Sequence, residues 1–237
     1  MSEPDAGPED EDLARDFRGR MPAGSHRIEI LTVDDSPFSG WGEHFHVSRG
    51  AYIRLLIPDL LPHRRALYLD GDVLALSGIR TLLESDLGGC PIGAVVNQRA
   101  DELPPVAVCA DAYVNSGVLL MDLDALRADG FFARCEAIYR NHDSTQPWMD
   151  QEVINVYAEG RKHLLTLRWN RQVRCHQTSD RDWQALVASG EASIIHFLGA
   201  VKPWHAFCNP AIIRDWRRYA DRLQLGPEHY LEMTTIK

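Results

Sequence analysis

The chain has 237 residues, 45% of them hydrophobic, and a formal net charge of −9. That is enough for one large domain or two small ones with a real core, and the acidic balance excludes a surface tracking nucleic-acid phosphates, which needs clustered Lys and Arg. No window of about 18 uncharged apolar residues occurs and the start is acidic, without the basic-then-apolar pattern of a secretory leader, so the sequence reads as cytosolic; peripheral contact at the inner face of a membrane stays open.

Met1 to about Ser25 is rich in Asp, Glu, Pro and Gly and has no periodicity. It is expected to be a disordered acidic tail over 1–25, followed by a single domain over 26–237 without internal repeat or linker. Ile28–Val33 is β-rich and closes on the turn signal Asp34-Asp35-Ser36-Pro37, which predicts a first strand. Arg49–Leu60 carries apolar residues at helical spacing; Ala66–Asp70, Pro91–Asn97 and Val114–Asp122 read as strands, and Phe131–Tyr139 and Gln151–Tyr157 as helices. This alternation predicts an α/β fold with a largely parallel sheet, whose ligands bind beyond the carboxyl ends of strands. The five cysteines, Cys90, Cys109, Cys135, Cys175 and Cys208, have no zinc or redox spacing and read as reduced, mostly buried thiols.

The tripeptide Asp70-Gly71-Asp72 follows the apolar run Ala66–Leu69. In an extended chain residues two apart face the same side, so both carboxylates can meet one cation, with Gly71 leaving room for a ligand. Oxygen-bound Mg²⁺ or Mn²⁺ is commonly completed by phosphate oxygens. Taken alone, two acids around a glycine are also an ordinary solvated turn. Four further signatures stand in order along the chain: Tyr52-Ile53-Arg54-Leu55, Asn115-Ser116-Gly117 opening a run to Asp122, Trp148-Met149-Asp150-Gln151, and Ile194-Ile195-His196-Phe197-Leu198-Gly199 running into Lys202-Pro203-Trp204. Each has a plain structural reading beside a functional one. His196 suits a satisfied core histidine, Lys202 a solvated lysine, Arg54 a surface helix charge and Asp150 a helix N-cap.

As an ordered set of five, these motifs closely resemble glycosyltransferase family 8, the family of glycogenin and of the bacterial lipopolysaccharide galactosyl- and glucosyltransferases, over roughly Ile28 to Cys208. The resemblance implies a Rossmann-like GT-A fold and a retaining transfer of galactose or glucose from a UDP-sugar to a hydroxyl of a glycan or lipid-linked glycan. It implies that Asp70, Asp72 and His196 hold a metal. Two carboxylates, an imidazole and diphosphate oxygens suit Mn²⁺ better than Mg²⁺. It further assigns Arg54, Gly71, Gly199 and Lys202 to the donor, Asn115, Asp150 and Gln151 to the donor sugar and reacting face, and His46 to the acceptor.

Two departures from the family pattern stand out. Members carry, ahead of the segment equivalent to Ile28, a strand-helix-strand unit that builds much of the nucleoside pocket, where this chain has its acidic tail, so an N-terminally truncated domain with weak discrimination among UDP, GDP and ADP is expected. The galactosyltransferase branch has an acid where this chain has Asn97, which keeps the size and drops the charge. The rival reading, from another class, is an inactive remnant that binds metal or sugar without turnover.

Overall fold

The computed structural model describes residues 15, 19, 29–42, 49–98, 109–142 and 149–223. Its frame is two sheets joined at the Asp70-Gly71-Asp72 tripeptide. Strands β1 (Arg65–Leu69), β3 (Ile92–Val96), β4 (Val114–Asp122) and β5 (Lys162–Leu164) form the first sheet, in the order β1-β4-β3-β5. Strands β2 (Val73–Ala75), β6 (Arg171–Val173) and β7 (Ile194–Phe197) form the second, in the order β2-β7-β6.

The expectation of a largely parallel sheet is corrected by the pairings. β1–β4, β3–β4 and β2–β7 run antiparallel, and only β3–β5 and β6–β7 run parallel. Alternation of strands and helices fixes strand direction only where a helix crosses between neighbouring strands. β3 and β4 are consecutive and neighbouring with no described helix between them, so the chain simply returns. The predicted first strand is also absent: Glu29–Asp35 has no strand pairing, and Leu31 is 53% exposed. A β-rich run becomes a strand only against a partner edge. The expected helix over Arg49–Leu60 is a 3₁₀ run, Arg49–Leu56, ending in one α turn, Ile57–Leu60. Pro58 has no N–H to return to Arg54, which favours the tighter winding.

Three apolar clusters cover the sheets. Leu119 and Met121 of β4 pack with Tyr52, Leu55, Phe131, Val153 and Ile154 on one face, while Val118 and Leu120 pack with Leu82, Leu87 and Trp169 on the other. This is the period of two expected of a strand buried on both sides. The third cluster, with Trp183, Ile212 and Phe197, closes the second sheet beneath the helices Asp180–Ser189 and Pro210–Ala220. No helix among the described residues is long and apolar enough to cross a membrane.

Two local features position the site. Against β3, the β4 register jumps from Leu119 opposite Ala94 to Asn115 opposite Val95, so 116–118 bulge out of the β3 ladder. Beyond the bulge the faces exchange: Val114 joins the cluster of Leu119, where simple alternation from Val118 would put it on the other side. Bulges of this kind re-aim side chains, here Asn115 and Ser116. The helix Asp150–Tyr157 is then fastened to β4 by the fully buried Asn155, whose amide accepts from Val114 N–H at 2.7 Å and donates to Val114 C=O at 2.8 Å. Asn155→Leu leaves both backbone groups buried without their partner. It is expected to cost roughly 2–4 kcal/mol in urea denaturation.

Candidate active site

Asp70 and Asp72 lie where the chain passes from one sheet to the other. Asp70 N–H donates to Gly117 C=O at 2.9 Å, and Phe197 N–H donates to Asp72 C=O at 3.0 Å, so each acid is pinned by its backbone to a different sheet. Val73 pairs with His196 in the second sheet, which brings the imidazole beside both carboxylates. Ligand atoms of Asp70, Asp72 and His196 all lie within 4.8 Å of one another. His196 Nε2 is 3.1 Å from Asp72 Oδ1 and 3.6 Å from Asp70 Oδ2.

Gly117 makes this closeness available. A Cβ there would stand 2.1 Å from His196 Cε1 and 2.6 Å from Asp70 Oδ2, well inside van der Waals contact. Gly71, by contrast, is exposed and a Cβ on it would meet open space. The glycine on which the approach depends is thus on the neighbouring strand.

Arg54 lies beneath the acids, 7% exposed. Its Nη2 is 2.8 Å from Asp70 Oδ1 and its Nε 3.2 Å from Asp150 Oδ2, while Nη1 donates to Ser116 C=O and Oγ at 2.9 and 3.0 Å. The guanidinium also stacks over Tyr68, 4.5 Å from the ring centre, and Tyr68 O–H donates to Asp70 Oδ1 at 2.6 Å. Arg54 is therefore not a surface charge. Its fork is engaged with the protein's own acids and holds Asp70 in place.

Asp150 opens its helix but does not cap it. Met149 is the N-cap residue, and its N–H is taken by Glu152 Oε2 at 2.9 Å, so the N-cap reading of Asp150 is set aside. The Asp150 side chain, 6% exposed, instead accepts from Ser116 Oγ at 3.0 Å and faces Arg54. Burial raises its pKa above the ordinary carboxylate value, the Arg54 charge opposing that rise. Gln151 Oε1 accepts from Asn115 Nδ2 and Ser116 N–H, both at 3.0 Å, and its Nε2 donates to Tyr113 Oη at 3.1 Å. Asn115, Asp150 and Gln151 are thus one network around the β4 bulge.

Lys202 reaches Asp72. Its Nζ is 2.5 Å from Asp72 Oδ2 and 2.6 Å from Phe197 C=O, after a bend in which Gly199 takes φ +80°. Burial works against ionisation of Asp72, but Lys202 and the His196 ring when it is charged outweigh it and hold its carboxyl well below the ordinary range. Asn97 donates its backbone N–H to Tyr113 C=O at 2.9 Å, continuing the ladder just past β3. His46, Trp148 and nearly all of the 1–25 segment lie outside the described residues.

The three ligand groups fit a divalent cation. Asp72 Oδ1 is buried and makes no hydrogen bond although Nε2 is near it, so its lone pairs are turned to a position that a cation would satisfy. Two carboxylates and one imidazole are a donor set for a divalent metal.

The sequence profile of glycosyl transferase family 8 matches residues 42–208, most of the chain. The chain belongs to glycosyl transferase family 8. It is 27% identical over 192 residues to General stress protein A of Bacillus subtilis, covering 76% of this chain and 67% of that protein. It is 28% identical over 191 residues to the lipopolysaccharide 1,2-glucosyltransferase of Escherichia coli, covering 76% of this chain and 55% of the relative. The family 8 chain thus spans between about half and two-thirds of the length of these and similar curated relatives. In structure it is similar to the galactosyltransferase LgtC, crystallised with donor and acceptor sugar analogues, with a TM-score of 0.68 at 24% identity over 84% of this chain and 76% of that one. That likeness establishes the GT-A fold.

Within this family 8 chain, three groups at the site were not singled out by sequence reasoning: Asn170, Ser116 and Tyr68. Ser116 stood inside a quoted motif and Tyr68 in the run before the acids, so their places were in view and their bonds were not. Asn170 had no signal, standing in the mixed run Leu167-Arg168-Trp169-Asn170-Arg171-Gln172-Val173.

Proposed function

We propose that this chain transfers a hexose from UDP-galactose or UDP-glucose to a hydroxyl of a glycan or lipid-linked glycan, with retention at the anomeric carbon and with Mn²⁺ held by Asp70, Asp72 and His196. The observation that carries this reading is the cluster of two carboxylates and one imidazole, with a buried Asp72 oxygen lacking a hydrogen bond, at the junction of the two sheets. The bound ion would supply Lewis-acid stabilisation of the charge that builds on the departing diphosphate. Lys202, delivered to the same place by the bend at Gly199 and ion-paired with Asp72, adds a second positive group there. Arg54 keeps Asp70 oriented, acting on the donor through that acid. Asn115, Asp150 and Gln151 face the transferred sugar from the β4 bulge and the helix start, and Asp150, ion-paired and buried, places negative charge where an oxocarbenium-like carbon would develop. The donor and the lack of a membrane-crossing helix among the described residues agree with work on cytosolic UDP-sugar, in solution or at the inner membrane face.

The test is UDP release from UDP-galactose and UDP-glucose by the purified chain, with and without Mn²⁺, read by a coupled UDP assay. Mn²⁺-dependent release abolished by chelator supports the proposal, and metal-independent release sinks it. Mn²⁺ binding without turnover on any donor would favour the remnant reading. The kinetic pattern of variants separates the roles. Asp150→Asn and Gln151→Ala are expected to lower kcat about a hundredfold with little change in KM, and Lys202→Ala to raise donor KM as well as lower kcat. Equal effects on kcat and KM at all three positions would remove the distinction.

A further inference from the structure

Asn170 is wholly buried between the 3₁₀ turn Leu167–Trp169 and β6. Burying a primary amide is unfavourable unless its groups are paired, and here they are paired into the site. Asn170 Oδ1 lies 3.2 Å from His196 Nδ1, and Asn170 Nδ2 donates to Asn115 Oδ1 at 2.8 Å. Asn115 Oδ1 itself lies 3.1 Å from His196 Nδ1. That atom is fixed as an oxygen because Gly117 N–H donates to it at 3.1 Å. Imidazole Nδ1 is therefore flanked by two carboxamide oxygens, and carboxamide oxygens only accept. Nδ1 must carry the hydrogen.

The consequence falls on the other ring nitrogen. In neutral imidazole one nitrogen donates and the other presents a lone pair, so Nε2 turns its lone pair toward Asp72 Oδ1 and Asp70 Oδ2. In a site without a cation the opposite tautomer would be preferred, since its Nε2–H could bond a carboxylate. The carboxamides hold the ring in the form that is unfavourable beside two acids and favourable beside a cation. We propose that Asn170 is the positioning residue that selects the His196 tautomer and thereby sets the affinity of the site for a divalent metal. Hydrogen-bond partners of metal-bound histidines act this way in general, by fixing tautomer and ring orientation. The inference rests on the metal reading of Asp70, Asp72 and His196 proposed above, and adds a residue to it that touches neither metal nor sugar.

Two measurements on the full 237-residue chain test it. Long-range ¹H–¹⁵N correlation of the imidazoles in metal-free protein, at a pH where His196 is neutral, reports which nitrogen carries the hydrogen. Mn²⁺ titration followed by the electron paramagnetic resonance of free ion reports affinity without reference to turnover. Wild type is expected to show the Nδ1–H form. Asn170→Leu, similar in volume and without an acceptor, leaves Nδ1 with Asn115 Oδ1 alone of the two oxygens and is expected to show a mixed tautomer signature and to bind Mn²⁺ about 10- to 100-fold more weakly, whereas Asn170→Asp, which keeps an oxygen on Nδ1 although its second oxygen replaces the donor to Asn115 Oδ1, retains the Nδ1–H form and binds Mn²⁺ more tightly than Asn170→Leu. A structural role alone would have Asn170→Asp, with its buried charge, fail at least as badly as Asn170→Leu, and that order overturns the proposal even if Asn170→Leu does not fold. Wild-type affinity in a folded Asn170→Leu protein overturns it too. Wild type that binds no Mn²⁺ but shows the Nδ1–H form, mixed in Asn170→Leu, would overturn the metal reading and with it the link to affinity, leaving only the tautomer assignment.

Discussion

Asp72→Asn is expected to lower Mn²⁺-dependent UDP release by roughly a hundred- to a thousandfold, the range found when one preorganised electrostatic group is removed from a transition state. Asparagine keeps the shape of the side chain and one oxygen but removes the charge that faces Lys202 at 2.5 Å and His196 at 3.1 Å. Asp72 also links the site to stability. Its carboxyl is held below its unfolded value, so it contributes stability above the unfolded pKa of about 3.9, and that contribution is lost as pH falls through the lower folded value. Wild type should therefore lose stability between about pH 4 and more acid conditions by a term that Asp72→Asn lacks. Thermal melts of both proteins across that window, with UDP release measured at neutral pH, check the two halves. If Asp72→Asn retains Mn²⁺-dependent release, Asp72 is not a ligand.

Gly117→Ala should do as much damage from a position with no chemistry of its own. The added methyl cannot fit 2.1 Å from His196 Cε1, and the neighbour is a ring wedged between Asn115 and Asn170, not the end of a flexible chain. The strand or the imidazole must move. Overpacking of this kind costs about 3 kcal/mol when backbone has to shift, and displacement of His196 from the two acids should weaken Mn²⁺ binding at least about tenfold. Denaturation midpoints and Mn²⁺ titration of Gly117→Ala measure both. A variant with wild-type melting and wild-type Mn²⁺ affinity would show that β4 and His196 are farther apart in solution than 2.1 Å to a Cβ allows.

The parts of the site written at strand ends were legible in the sequence. Asp70, Asp72, His196 and Lys202 each follow or interrupt an apolar run, and a run that ends in a chemical group announces where the group is displayed. β4 was read with its observed bounds because eight of its nine positions are buried and Val118–Met121 forms a clear apolar run. The short strands β2, β5 and β6 carry three residues each, too few for any period to show. Strand direction was misread because direction depends on which strands become neighbours. The contacts of Arg54 and Asp150 escaped for the same reason: a charge in a helical segment has the same local pattern whether it faces water or another charge, and only the fold brings Asp150 under Ser116. Asn170 is the extreme case, as its meaning lies entirely in residues distant along the chain.

A single guanidinium serving Asp70 on one side and Asp150 on the other means that the two acids are not thermodynamically independent. Whatever draws negative charge away from Arg54 at Asp70 leaves more of its positive field for Asp150, and the converse holds by reciprocity. Asp70→Asn and Asp150→Asn should consequently be non-additive in a double-mutant cycle, as is usual for groups sharing one partner. On the metal reading proposed above, a cation bound at Asp70 would be felt through Arg54 at the start of the helix Asp150–Tyr157.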